Sequence, residues 1–179
     1  HHRDVGVLGA LLLLDNIYYE IITDLNHLCP DMIRLIFRIQ PYSKFCLISD
    51  SNYISGLPAG TYIRYGRENY ADEKGLILNS DGRICGSGSW VLRNIRQLIQ
   101  VVGIPAEQAF YMSSLYPARY LGIDQETGSL RNGKRADMIF VDEDFVCQRT
   151  FVGGKQVFDR KKDMPEKILN AEAMKLKVK

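Results

Sequence analysis

Over the first 50 positions, short apolar runs that end in polar residues alternate with an amphipathic stretch. Residues 18–22 form a β-favouring run that closes on Thr23 and Asp24, as a strand does where its carboxyl end emerges into a loop. Residues 30–39 follow, with Met32, Leu35, Ile36 and Ile39 at i, i+3, i+4 and i+7, which predicts a helix with one apolar stripe and Arg34 and Arg38 on another face. Residues 45–48 are a second apolar run, ending in Ser49, Asp50, Ser51 and Asn52. Strand, helix, strand is the order of a parallel β-α-β unit.

Glycines and tyrosines dominate residues 56–86. Strand-like pieces at 61–65 and 75–78 and an Asp81-Gly82 turn signal predict a β excursion. From Trp90, the positions Val91, Leu92, Ile95, Leu98, Ile99 and Val102 fall at helical spacing until Gly103 stops them. Pro105 opens a further helix to about Leu115, and Pro117 and Gly122 bound a short helical turn. Strands are expected at 136–141, 149–152 and 156–158, the last two joined by a hairpin at Gly153-Gly154. The lysine-rich stretch 161–179 is expected to be a peripheral helix or tail.

Composition narrows the function classes. With 23 basic and 21 acidic residues in 179, the formal net charge is +2, a balance that argues against a nucleic-acid surface. Hydrophobic residues make up 46%, enough for a globular core. The longest clean apolar stretch, residues 7–14, is far short of the about 20 residues a bilayer helix needs. Cys29, Cys46, Cys85 and Cys147 are widely spaced, without a C-x-x-C pair, which fits buried, reduced thiols and a cytoplasmic setting.

Asp24 and Asp50 stand at the carboxyl ends of successive parallel strands, where α/β enzymes gather reactive groups. From position alone each also suits a capping role. His27 is the sole histidine away from the first two residues, and an isolated histidine is equally a structural residue. The histidines and cysteines show no metal-ligand spacing. The Gly86-Ser87-Gly88-Ser89 stretch reads either as a tight turn or as an anion-binding helix entrance. Arg3, near a glycine turn, is either solvated surface or a phosphate grip.

Taken in order, His1-His2-Arg3-Asp4-Val5-Gly6, Thr23-Asp24-Leu25-Asn26-His27, Leu47-Ile48-Ser49-Asp50, Gly56-Leu57-Pro58-Ala59-Gly60, Ile84-Cys85-Gly86-Ser87, Pro117-Ala118-Arg119-Tyr120-Leu121-Gly122, Gly128-Ser129-Leu130 and Gly133-Lys134-Arg135-Ala136-Asp137 form a series. Together they resemble the carboxyl-terminal half of the N-acetylglucosamine-6-phosphate deacetylases of the amidohydrolase superfamily. The resemblance implies an α/β fold: the last strands and helices of a (β/α)8 TIM-type barrel, plus part of a small β-sandwich domain. Such a barrel alone takes about 250 residues, so residues 1–122, with their β excursion at about 56–86, are expected to supply only its carboxyl-terminal part. Residues 123–160 are expected to supply sandwich strands.

The implied activity is hydrolysis of the N-acetyl group of N-acetylglucosamine 6-phosphate, assisted by a divalent metal, zinc or iron, that polarises the amide and activates water. The family's metal ligands have no counterpart in this chain, so the chain is expected to be a fragment, inactive alone. By the resemblance, Asp50 is the catalytic acid and base. Arg3 binds the phosphate; Asp24, Leu25, Asn26 and His27 form a substrate-binding stretch; and Ile84, Cys85 and Gly86 line the sugar site. The family usually carries Glu-Pro at Asp4-Val5, glycine at Leu25 and a smaller residue at Trp90. An amino-sugar phosphate is the expected partner, with no nucleic acid and no membrane, and the intact enzyme is expected to be a homodimer. Two other readings stay open: an amidohydrolase-fold relative acting on another amide, and a non-catalytic sugar-phosphate-binding relative.

Overall fold

The computed structural model describes residues 3–164, so most of the expected terminal helix or tail, from residue 165, lies outside the described residues. The chain forms two compact units, His1–Asp124 and Gln125–Lys179, of mixed helix and sheet.

The first unit is built on two parallel strands, β1 (Tyr19–Ile22) and β2 (Phe45–Ile48), paired from Tyr19 opposite Phe45 to Ile22 opposite Ile48. Phe45, Cys46 and Leu47 are all buried, as expected of a parallel strand covered on both faces. Before β1 runs a helix that the sequence pattern did not suggest, α1 (Gly6–Leu12). It is fastened at its end by Tyr19, whose hydroxyl donates to Leu11 and Leu14 carbonyls, and by Gln40, whose amide donates to that of Leu12.

Between the strands lies α2 (Pro30–Ile39), with Pro30 in its first turn, where its missing N–H costs nothing. Its core face is rotated one position from the expected stripe. Ile33, Ile36 and Gln40 are buried, whereas Leu35 and Ile39 are 50% and 46% exposed. The Phe37 ring meets Phe45 edge-on at 5.0 Å. Arg34, exposed at its side chain, donates to the carbonyls of Val101 and Val102, which ties α2 to that later segment.

The excursion is a four-stranded antiparallel meander: β3 (Gly60–Arg64), β4 (Arg67–Ala71), β5 (Leu76–Asn79) and β6 (Ile84–Ser87). β4 was not expected, since Arg67, Glu68 and Asn69 mask its alternation. Ile54, Ala71 and Ile77 form its own small core, with Tyr62 and Cys85 packed against it. α3 (Val91–Gln97) then passes into a π-helical turn, Leu98–Val102, which Gly103 ends at φ 87°. The helix expected from Pro105 to about Leu115 ends early, as α4 (Ala106–Tyr111), and the expected short helical turn bounded by Pro117 and Gly122 starts sooner, as α5 (Leu115–Tyr120). The break arises because the Met112 carbonyl accepts from Leu47 N–H of β2, while Ser113 and Ser114 hydroxyls donate to the Phe110 carbonyl; these bonds compete with helix continuation.

In the second unit, β7 (Met138–Val141), β8 (Cys147–Val152) and β9 (Lys155–Asp159) form an antiparallel sheet. Gly153 and Gly154 turn the β8–β9 hairpin at φ 56° and 80°, the pair of positive angles that a two-residue turn of this hand requires. All four cysteines are free; Cys46 is buried, but Cys29 is exposed, contrary to expectation. Among the described residues no helix is long and apolar enough to cross a membrane.

Candidate active site

The two parallel strands deliver Asp24 and Asp50 to neighbouring loops. Asp24 is 3% exposed, and its carboxylate is saturated. One oxygen accepts the Ser87 hydroxyl at 2.7 Å, and the other accepts the backbone N–H groups of Asn26 and His27, both at 3.0 Å. His27 Nδ1 lies 3.0 and 3.2 Å from the two oxygens. Burial pushes the Asp24 pKa up, but the hydrogen bonds from Ser87, His27 and Asn26 outweigh it and hold the carboxyl below its ordinary range. Leu25, between these residues, sits at φ 64°, a left-handed angle that a β-branched or bulky side chain rarely takes.

Asp50 is exposed. It too has a left-handed backbone, at φ 50°, which aspartate tolerates better than most residues. Its loop is laced to β6 and the turn beyond it. Ser87 N–H donates to the Asp50 carbonyl at 2.8 Å, and Asn52 N–H donates back to the Ser87 carbonyl. The Asn52 amide donates to the Cys85 carbonyl, the Ser51 hydroxyl to that of Ser89, and the Ser55 hydroxyl to that of Ser87. Gly86, at φ 98°, makes this approach possible: a Cβ there would lie 2.9 Å from the Asp50 carbonyl oxygen and 3.2 Å from Asn52 Cβ.

Asp24, Leu25, Asn26 and His27 are therefore linked to Asp50, Cys85 and Gly86 through Ser87. Ile84 is 42% exposed on the same strand as Cys85. Burial pushes the Cys85 thiol up, and the thiol donates to the Asn69 side-chain oxygen. Arg3 is exposed in the turn before α1, and the bonds above do not include it. A cavity of about 350 Å³ lies along α1, β1 and β2 and reaches His27. Apart from His27 and Glu20 its lining is apolar or Tyr19, which offers a phosphate no cationic anchor.

The anion-binding alternative for Gly86-Ser87-Gly88-Ser89 is not what forms. The N–H groups of Ser87, Gly88 and Ser89 are bound to the Asp50 carbonyl, the Gly75 carbonyl and the Ser87 hydroxyl. Behind the site runs a buried polar string absent from the sequence expectations. The Ser89 hydroxyl donates to the Asn94 side chain at 2.6 Å, the Asn94 amide to the Ile48 carbonyl, and the Thr23 hydroxyl to the Asn94 carbonyl. Its one sequence signal was Asn94, a polar residue inside the apolar stripe of α3. Among the described residues no three His, Cys, Asp or Glu side chains converge as a metal centre; they do not fit a metal site by themselves.

Comparison with known proteins bears on the chemistry. Residues 12–157 match the model of the Amidohydrolase family. The N-acetylglucosamine-6-phosphate deacetylase of Vibrio furnissii is 38% identical over 159 residues, covering 89% of this chain and 39% of its own length. A putative N-acetylgalactosamine-6-phosphate deacetylase of Escherichia coli K12 is 32% identical over 155 residues, covering 87% of this chain and 92% of that protein. Among solved structures, a mutant N-acetyl-D-glucosamine-6-phosphate deacetylase of Mycobacterium smegmatis in complex with N-acetyl-D-glucosamine-6-phosphate superposes with TM-score 0.76 at 25% identity. The match covers 88% of this chain and 42% of that one. The chain thus spans about 39% of the length of the Vibrio furnissii protein.

Proposed function

Because the chain belongs to the amidohydrolase family, we propose that it forms the proton-transfer and sugar-binding part of an amino-sugar-phosphate deacetylase. The observation that carries this is the exposed Asp50 carboxylate, held on a left-handed backbone by contacts from β6. A water attacking the N-acetyl carbonyl carbon must lose a proton, and the departing nitrogen must gain one. Asp50 takes the first proton as general base and returns it to nitrogen as general acid while the C–N bond breaks, releasing acetate and the free amine. Such a role contributes roughly 10²–10⁴ in rate.

His27, 21% exposed at its side chain, hydrogen-bonds the substrate, with Leu25 and Asn26 beside it. Arg3 binds the 6-phosphate, for which a planar guanidinium is apt, and Ile84, Cys85 and Gly86 line the sugar. Asp24, whose oxygens are already taken, orients His27 rather than touching substrate. Any zinc or iron that serves the reaction is held by side chains other than those described.

In the same proposal, β1 and β2 are the last two strands of a (β/α)8 barrel within residues 1–122, and residues 123–160 are sandwich strands. The intact enzyme is a homodimer in a reducing cytoplasm, a setting supported by the four free cysteines. Deacetylase activity on N-acetylglucosamine 6-phosphate, with divalent metal, in the longest natural polypeptide containing this chain, tests the proposal. Turnover should fall about 10²–10⁴-fold in Asp50→Asn; equal turnover removes Asp50 from the mechanism. The name of the Escherichia coli relative favours a second substrate, N-acetylgalactosamine 6-phosphate. The ratio of kcat/KM for the two sugars decides between them.

A further inference from the structure

We infer that Ser87 is the positioning residue of this site: its hydroxyl holds the Asp24–His27 pair while its main chain holds the Asp50 loop, so one buried residue sets the spacing of both. Ser87 is 0% exposed, and its polar groups point to both strand ends. The hydroxyl donates to Asp24 at 2.7 Å and accepts Ser89 N–H at 3.0 Å. Its N–H donates to the Asp50 carbonyl at 2.8 Å, and its own carbonyl accepts from Asn52 N–H at 3.2 Å and the Ser55 hydroxyl at 2.5 Å.

The consequence for His27 follows from donor and acceptor counting. An ionised carboxylate only accepts, so the imidazole nitrogen 3.0 Å from it, Nδ1, carries the hydrogen. In the neutral ring Nε2 is then left as an acceptor, the tautomer being set by the partner of the other nitrogen. The Ser87 hydroxyl fixes Asp24 in the rotamer that makes this contact. Without it, Asp24 loses a charge-assisted bond at a fully buried position, and the selection of one tautomer weakens.

The role rests on the deacetylase proposal only for its kinetic consequence, so the first measurement is independent of activity. Long-range proton–nitrogen NMR of the full chain, labelled with nitrogen-15, reads the His27 tautomer at a pH where the ring is neutral, with His27→Gln assigning the signal. The Nδ1–H form should be in excess by about tenfold in the unaltered chain, and that excess should fall severalfold in Ser87→Ala. Asp24→Asn, which keeps the side-chain volume, should lower it as well and serves if Ser87→Ala does not fold. An unchanged tautomer ratio in either folded variant overturns the inference.

Kinetics in the longest natural polypeptide give the second reading. Ser87→Ala should lower kcat/KM about tenfold alone but add little to His27→Gln, because the two act through one pair; fully additive losses also overturn it. If no form releases acetate yet the tautomer responds to Ser87→Ala, the deacetylase proposal fails and the positioning role stands. If turnover and tautomer both survive Ser87→Ala, the positioning role fails and the deacetylase proposal stands.

Discussion

Asp24 follows β1 and Asp50 follows β2, two aspartates at the same place on adjacent parallel strands, and the protein treats them in opposite ways. The first is 3% exposed, with its carboxylate saturated by Ser87, Asn26 and His27. The second is exposed and is tied down through its main chain. A carboxylate whose lone pairs are all taken has none left for a substrate's proton. One held by its backbone and open to solvent keeps its oxygens available. Position at a strand end therefore nominates a residue for chemistry, while hydrogen-bond occupancy separates a saturated acid from an open one.

Substitutions can sharpen or break that contrast. The largest effect should come from Asp50→Asn, with turnover down about 10²–10⁴-fold and thermal stability nearly unchanged, since asparagine tolerates the left-handed backbone as aspartate does. A large drop in melting temperature would show that the Asp50 side chain has a structural duty after all. Gly86→Ala should come next. Its added Cβ meets main chain at 2.9 Å on a backbone at φ 98°, so a loss of about 2–3 kcal/mol is expected in denaturant unfolding, together with reduced turnover as the Asp50 loop shifts.

Asp24→Asn should cost about 1–2 kcal/mol at neutral pH and should flatten the acid limb of the stability curve. The sign follows from the lowered pKa. Stability contributed by a depressed carboxyl is complete above its unfolded pKa, near pH 4, and is lost as pH falls through the folded value. Chemical denaturation at a series of acid pH values checks this; an unaltered acid limb would contradict the bonding described for Asp24.

The smallest effect concerns Leu25 at φ 64°. Leu25→Gly and Leu25→Ala both remove the side chain, but only glycine is free of the left-handed penalty. The glycine variant should be the more stable by about 1 kcal/mol. Equal melting temperatures would mean that the loop relaxes without strain.

Much of the fold was legible in short-range patterns. The boundaries of α2 and β2, the parallel pairing across them, and the Gly153-Gly154 hairpin follow from Pro30, the apolar run at 45–48 and a glycine pair whose backbone angles the turn demands. The rotated face of α2 and the early end of α4 at Tyr111 were not legible. Each is decided by a distant partner: Arg34 by the carbonyls of Val101 and Val102, and Met112 by β2.

The candidate site divides in the same way. Asp24, His27 and Asp50 could be picked out as polar residues at the ends of apolar strands, and the ordered motifs supplied their family. Periodicity carries no information about a serine 63 positions from Asp24 or an asparagine 71 positions from Thr23. By itself the sequence determined most of the segments that form strands and helices, α1 and β4 excepted, because those choices rest on side-chain spacing and local backbone preference. Only the tertiary structure decided which aspartate is saturated and which is left open, because the hydrogen bonds that separate them arise where β6 meets the ends of two other strands.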